Sequence, residues 1–306
     1  MTLRTAIEDL AGDIWKLGAS YVDPASIPAR ADLLDVAQWH WAQTVVAANR
    51  TARHPEAHRR ALAVEAEAAR QLAMMYADRS QLGTAIKLQA AAVTAAERGE
   101  HWEMAATIYT GRAYLPLYAG DYARCIDTAS VALQTLQKAG RPGGRAAVTA
   151  YALLARAYAS LQDTASTEQA IRYAYGAMAR YTDAGSVALP ASHHPQRFAW
   201  VKLHLATAEV YAALGDTRRH KRAYEKAVAD PSVSQMHRPM LDMGLAEAEQ
   251  DPARAAHHAL AVLRGYERPP NPIVGRARQV AHRAAARAPR EATVQNLRVH
   301  LLKLAR

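Results

Sequence analysis

The sequence predicts an all-α protein built from antiparallel helix pairs, and three observations carry that prediction. Half of the 306 residues are hydrophobic, drawn mostly from Ala, Leu and Val, with a single Phe. Alanine is the strongest helix former and has no bulk, so helices rich in it approach one another closely. Runs of β-branched and aromatic residues with two-residue alternation are nowhere sustained, which argues against strands. Small residues and a tyrosine recur at matching places in consecutive stretches, the mark of an internal repeat.

The elements follow in order along the chain. Helices are expected over about 3–18 and 28–49, the second opening at Ser26–Pro28. The first repeated pair carries Ala73 and Tyr76 in one helix, then Ala85, Ile86, Ala92 and Val93 in the next. The second has Ala113, the turn Gly120-Asp121-Tyr122, then Cys125, Ile126, Ala132 and Leu133. A third shows Ala155 and Tyr158, then Ala170, Ile171, Ala177 and Met178. The fourth has Ala208 and Tyr211, the turn Gly215-Asp216, then Tyr224, Ala227 and Val228. A fifth pair spans about 235–266 around Asp251-Pro252, and two last helices, 272–287 and 290–305, are split by Ala288-Pro289. Turns are therefore expected at 79–82, 119–121, 161–164, 214–217 and 250–252. The stretch TDAGSVALPASHHP at 182–195 is a run of small and breaker residues and reads as an exposed loop.

Residues at i, i+3 and i+4 share a helix face, so Ala73 with Tyr76 and Ala208 with Tyr211 look towards the partner helix. At the closest points of two such helices only Ala, Gly or Cys fits. A Gly-Asp turn supplies a left-handed stop for one helix and an N-cap for the next. With LGD followed by AYEKAV at 214–228, and GDYARCI at 120–126, the chain resembles the tetratricopeptide repeat (TPR) family. The resemblance implies a right-handed solenoid of antiparallel helix pairs over 54–306, with residues 1–53 packing on it. His220 stands where that family usually has Ala, and should loosen the fourth repeat.

Two stretches resemble something narrower. RFAWVKLHLATAEVYAALGD at 197–216, and LDMGLAEAEQDPARAAHHALAVL at 241–263 with ATVQNLRVHLLKL at 292–304, are similar to the C-terminal sensor halves of actinobacterial Xre-type helix-turn-helix regulators. The similarity covers roughly 56–306. No stretch reads as the helix-turn-helix domain itself. The resemblance implies a sensor or adaptor in transcriptional regulation or signalling that binds a peptide, a protein partner or a small acidic ligand.

In a TPR array the first helix of each pair lines a concave trough. Counting from the small-residue positions, the residues aimed there are Arg70, Gln71, Met74, Thr110, Tyr114, Tyr118, Arg156, Lys202 and Glu209. Tyr and Met suit contact surfaces and Arg suits carboxylates or phosphates. Arg70, Tyr114, Tyr118 and Arg156 are expected on one wall, fitting a ligand with an acidic group and an apolar body. The Lys/Asn arrangement with which TPR domains clamp chaperone C-termini is missing.

The formal net charge is +10, and residues 254–306 hold 11 Lys/Arg against two acids, Glu267 and Glu291. Arg276, Arg283 and Arg287, at i, i+7 and i+11, make one helical stripe, expected either to cap the last repeat with a solvated face or to bind nucleic-acid phosphates. No catalytic triad, carboxylate pair or cofactor fingerprint stands out, so neither an enzyme nor a cofactor is expected. His54 and His58 flank Pro55-Glu56 rather than forming H-E-x-x-H, and His193-His194 and His257-His258 lack a third ligand at useful spacing, so no metal site is expected. Gly143-Gly144 lacks the Lys-Ser/Thr of a phosphate loop and reads as a turn. The single cysteine, Cys125, sits at a small-residue position and excludes an internal disulfide framework, which suits a reducing, cytoplasmic setting. No membrane span is expected. Trp39 and Trp41 point to different helix sides, one packing and the other open to solvent or to a second copy in a homodimer.

Overall fold

The computed structural model describes residues 3–22, 30–79, 81–140, 143–180, 195–229, 238–266, 269 and 271–304. Among them the regular structure is entirely α-helical, with no strand. The helices are α1 (Leu3–Val22), α2 (Arg30–Thr51), α3 (Pro55–Asp78), α4 (Leu82–Arg98), α5 (Trp102–Ala119), α6 (Tyr122–Lys138) and α7 (Arg145–Ser160). They continue as α8 (Thr164–Ala179), α9 (Pro195–Ala213), α10 (Thr217–Val228), α11 (Arg238–Ala248), α12 (Pro252–Arg264), α13 (Asn271–Arg287) and α14 (Ala292–Lys303). All five expected turns fall between consecutive helices. The expected loop at 182–195 lies outside the described residues, except that Pro195 opens α9.

The turns are built by one repeated device. Gly120 and Gly215 adopt left-handed backbone, with φ of 80° and 74°, and Gln162 takes the same region at 61°. The following amide then donates five residues back, Asp121 to Pro116, Asp163 to Tyr158 and Asp216 to Tyr211, all within 3.0 Å. These bonds occupy carbonyls that the helix end leaves without partners. The same aspartates cap the next helix: Asp163 accepts from the Ser166 amide at 3.0 Å and Asp216 from the Arg219 amide at 2.9 Å. Asp121 does so for Arg124 at 3.1 Å, and Asp251 for Arg254 at 2.8 Å.

Close helix packing rests on the small residues. Ala73, Ala85, Ala92, Ala113, Cys125, Ala132, Ala155, Ala177, Ala208 and Ala227 are all buried. Helix α3 packs on α4, α7 on α8, α9 on α10, and α11 on α12. Arg59, at the start of α3, donates to the Gly99 carbonyl at the end of α4 at 3.0 Å, so those two helices run antiparallel. His220, expected to loosen its pair, is held on one side of its ring and leaves its buried Nε2 without a hydrogen-bond partner among the described residues. It is buried, and its Nδ1 lies 2.7 Å from the Ala208 carbonyl on α9, which joins α10 to its partner.

The chain divides into two compact units, Met1–Arg112 with Val131–Pro142, and Ala113–Ser130 with Gly143–Arg306. Helices α1 and α2 pack on α3 inside the first unit. The core of that unit joins Ile7 and Ala48 to Ala61, Leu62, Ala92, Ala96 and Ile108. In the second unit, Met243, Leu263, Ile273, Val280, Val294 and Leu297 form the core of its last four helices. No helix of the described residues is long and apolar enough to cross a membrane.

Candidate functional site

The second unit holds a chain of buried charges. Arg276 lies on α13 in register with the buried residues Ile273, Ala277, Val280 and Ala284, so the helix turns its guanidinium inward with them. There it is 3% exposed and makes three contacts with carboxylates. Its Nε and one terminal nitrogen reach the two oxygens of Glu247 on α11, both at 2.7 Å. The other terminal nitrogen lies 2.8 Å from Oε1 of Glu209 on α9. Glu209 Oε2 in turn meets Nε of Arg156 on α7 at 2.9 Å. The order Arg156, Glu209, Arg276, Glu247 therefore ties α7, α9, α13 and α11 together.

Paired charges of this kind satisfy one another where a lone charge could not be buried. Burial alone would raise the Glu247 pKa, but the charge of Arg276 and its hydrogen bonds outweigh it, with help from Arg283 and Arg156. The carboxyl is held below its ordinary range. Cys125, on α6, shows the opposite balance: burial pushes its thiol up to about 11 despite the charge of Arg156.

Beside this ladder lies a cavity of about 90 Å³. Its polar wall consists of Arg156, Glu209, Glu247, Arg276, Arg283, Gln279, Ser160 and Tyr122, and its apolar wall of Leu117, Val210, Ala212 and Ala213. The volume is several times what one water molecule needs, and well below the roughly 300 Å³ of pockets that enclose a whole drug-sized ligand.

Of the residues expected in the groove, the structure brings Arg156 and Glu209 together at this cavity. Lys202 is exposed on α9 and is not part of the cavity wall, and Tyr114 is half-buried on α5. The side chain of Tyr118 lies outside the described residues. The remaining expected residues belong to the first unit. Arg70 is bound by both oxygens of Glu67, at 2.8 and 2.6 Å, and its other terminal nitrogen lies 3.2 Å from the Met74 sulfur. Gln71 is buried and donates to Glu67 at 2.8 Å. Thr110 is also buried and spends its hydroxyl on the Thr107 carbonyl of its own helix, so it presents nothing to a ligand. The proposed wall of Arg70, Tyr114, Tyr118 and Arg156 thus draws on both units.

The basic stripe is corrected. Arg276 is the buried centre of the ladder, not a solvent-facing cation, and cannot meet a phosphate. Arg283 and Arg287 are exposed, but they donate to the carbonyls of Glu247 at 3.3 Å and Gln250 at 3.2 Å. The first serves the last turn of α11, where helix carbonyls otherwise lack partners, and the second the turn that follows it. Sequence reasoning missed Glu247, Gln279 and Tyr122 as members of the site and misplaced Arg276 and Arg283. One signal was present: an arginine standing among Ile273, Ala277 and Val280 occupies a core position.

The remaining candidates have local roles. His58 Nδ1 contacts the Ala48 carbonyl at 2.9 Å, and the rings of His257 and His258 meet edge to face. His193 and His194 lie outside the described residues. Trp39 is exposed, whereas Trp41 packs into the first unit's core. Compared with models of known protein families, the chain matches none, and no curated protein matches it either.

Proposed function

We propose that the chain is a TPR-like right-handed solenoid that works as a sensor or adaptor, binding a peptide, a protein partner or a small ligand on its inner face, in transcriptional regulation or signalling. One observation supports this reading above the others. Every residue lining the cavity except Tyr122 comes from α5, α7, α9, α11 or α13, the first members of successive helix pairs. In a TPR array those helices line the concave trough. The charge ladder fixes four of them by side chains that cross from helix to helix, which keeps such a wall preorganised for binding.

Selection of ligands from a random peptide library on the immobilised full-length chain tests the reading. Ala213 is exposed at the cavity, so Ala213→Phe fills the space with little cost to the core. Selected ligands should lose affinity in that variant and keep it when the exposed Lys226 on α10 is changed to Ala. Ligands indifferent to Ala213→Phe would refute it.

A further inference from the structure

We infer that the group recognised at this cavity is a single carboxylate on a short apolar stem, met by Arg283; the inference rests on the binding role proposed above. The charges on the cavity wall carry it. Three guanidiniums face two carboxylates. Both oxygens of Glu247 are taken by Arg276, and the two oxygens of Glu209 are divided between Arg276 and Arg156. The acidic side chains are thereby satisfied within the protein, and Arg156 and Arg276 are committed to them. Arg283 is the remaining cation. It is exposed, and among the described residues its one hydrogen bond goes to the Glu247 backbone carbonyl at 3.3 Å and no carboxylate lies within ion-pair distance, so it acts on Glu247 only through space. One positive charge is left over on the wall.

The groups around Arg283 suit a carboxylate. Gln279 stands one turn earlier on the same helix and lines the same space, as does Tyr122 from the start of α6. Neither side chain makes a hydrogen bond among the described residues, so an amide and a hydroxyl are available beside the guanidinium. Arginine presents a planar fork that matches a carboxylate with two parallel bonds. A monoanion balances the surplus charge, whereas a phosphate dianion would overshoot it in sight of Glu209 and Glu247. Leu117, Val210, Ala212 and Ala213 offer the other wall to a few carbon atoms. A cavity of about 90 Å³ admits such a terminal group and leaves anything larger outside.

The chemistry is shared by a free short-chain acid and by the C-terminus of a peptide, and two pairs of probes distinguish them. Isothermal titration of the full chain at fixed ionic strength would compare sodium butyrate with butyramide, and Gly-Gly-Val as free acid with its C-terminal amide. At least one carboxylate should bind, and its amide should bind about tenfold or more weakly, as expected for losing a charge-assisted hydrogen bond. Butyrate binding as well as the tripeptide points to a free acid, and tighter tripeptide binding points to a peptide terminus. Arg283→Gln should reproduce the amide's loss, Arg283→Lys should recover part of it, and Arg287→Gln should change little. The carboxylate assignment is overturned if no carboxylate binds, if the amides bind equally well, or if Arg283→Gln binds as the wild type does. Should library ligands still depend on Ala213→Phe in that event, the inner-face reading survives without the carboxylate; should they not, both fall.

Discussion

Replacing Arg276 with Met removes the cation at the centre of the ladder while keeping an unbranched, apolar side chain of similar reach. The loss is three contacts of 2.7–2.8 Å to two carboxylates that themselves lie mostly out of solvent. Glu209 keeps Arg156, but Glu247 loses the partner of both its oxygens. Breaking a buried pair by removing one member costs about 3–5 kcal/mol, because an uncompensated charge stays behind. With about 2–4 °C per kcal/mol for a domain of 150–250 residues, the second unit should melt roughly 6–20 °C lower. The double variant Arg276→Met with Glu247→Met removes the stranded charge and should recover most of that loss, since apolar replacement of a whole pair is often neutral or better. The pH dependence has a definite sign. Glu247 is held below its ordinary value of 4.5, so its contribution is present above that pH and is lost as pH falls through its folded-state pKa. Without Arg276, burial is left to dominate and the carboxyl should instead be raised, so the gap between wild type and variant should narrow on acidification. Urea unfolding followed by circular dichroism, with hydrogen exchange of α11 and α13, measures these effects. A single variant within about 1 kcal/mol of wild type at pH 7 would show that the ladder does not hold the wall together.

Other expectations follow from the packing and the turns. Ala208→Leu should destabilise by about 1–3 kcal/mol through overpacking, and an unchanged melting temperature would disprove the helix-pair register. His220→Ala should cost about 2–4 kcal/mol, from a cavity plus the lost bond to the Ala208 carbonyl; a change under about 0.5 kcal/mol in urea melts would return His220 to a loosening role. Glu100 holds a φ of 55° in the exposed turn after α4, so Glu100→Gly should stabilise by about 0.5–1 kcal/mol, and a lower melting temperature would contradict the strain. Cys125 is fully buried with its thiol at about 11, so a thiol-reactive disulfide reagent at pH 8 should label it only on unfolding; prompt labelling of the native chain would contradict that burial.

Much of the candidate site was half visible in the chain. Arg156 and Glu209 stand out as polar residues on otherwise small and apolar helices, and both line the cavity. Their pairing with each other could not be read, because 53 positions of sequence separate them and no periodicity within one helix reports on the next. Arg283 and Arg276 look alike as members of a basic stripe, yet one is exposed and the other 3% exposed. The stripe spacing of 7 and 11 assumes an isolated helix in water. In the folded unit Arg276 faces two carboxylates, and Arg283 lies a little less than two turns along α13, towards solvent.

What the sequence determined by itself is what local forces decide. Alanine-rich periodicity dictates helices, Gly-Asp turns end one and cap the next, and small residues mark where two helices touch. All of these act over a few residues and leave their trace in composition and spacing. Only the tertiary structure decided which charges are solvated and which are spent. That outcome depends on how far each long side chain reaches across to another helix, and on the desolvation that makes an unpaired buried charge intolerable. Arg276 lies between Glu209 and Glu247 and is paired with both at 2.7–2.8 Å, whereas Arg283 stays exposed and bonds the Glu247 backbone carbonyl instead, because the side-chain oxygens of those carboxylates are already taken by Arg276 and Arg156.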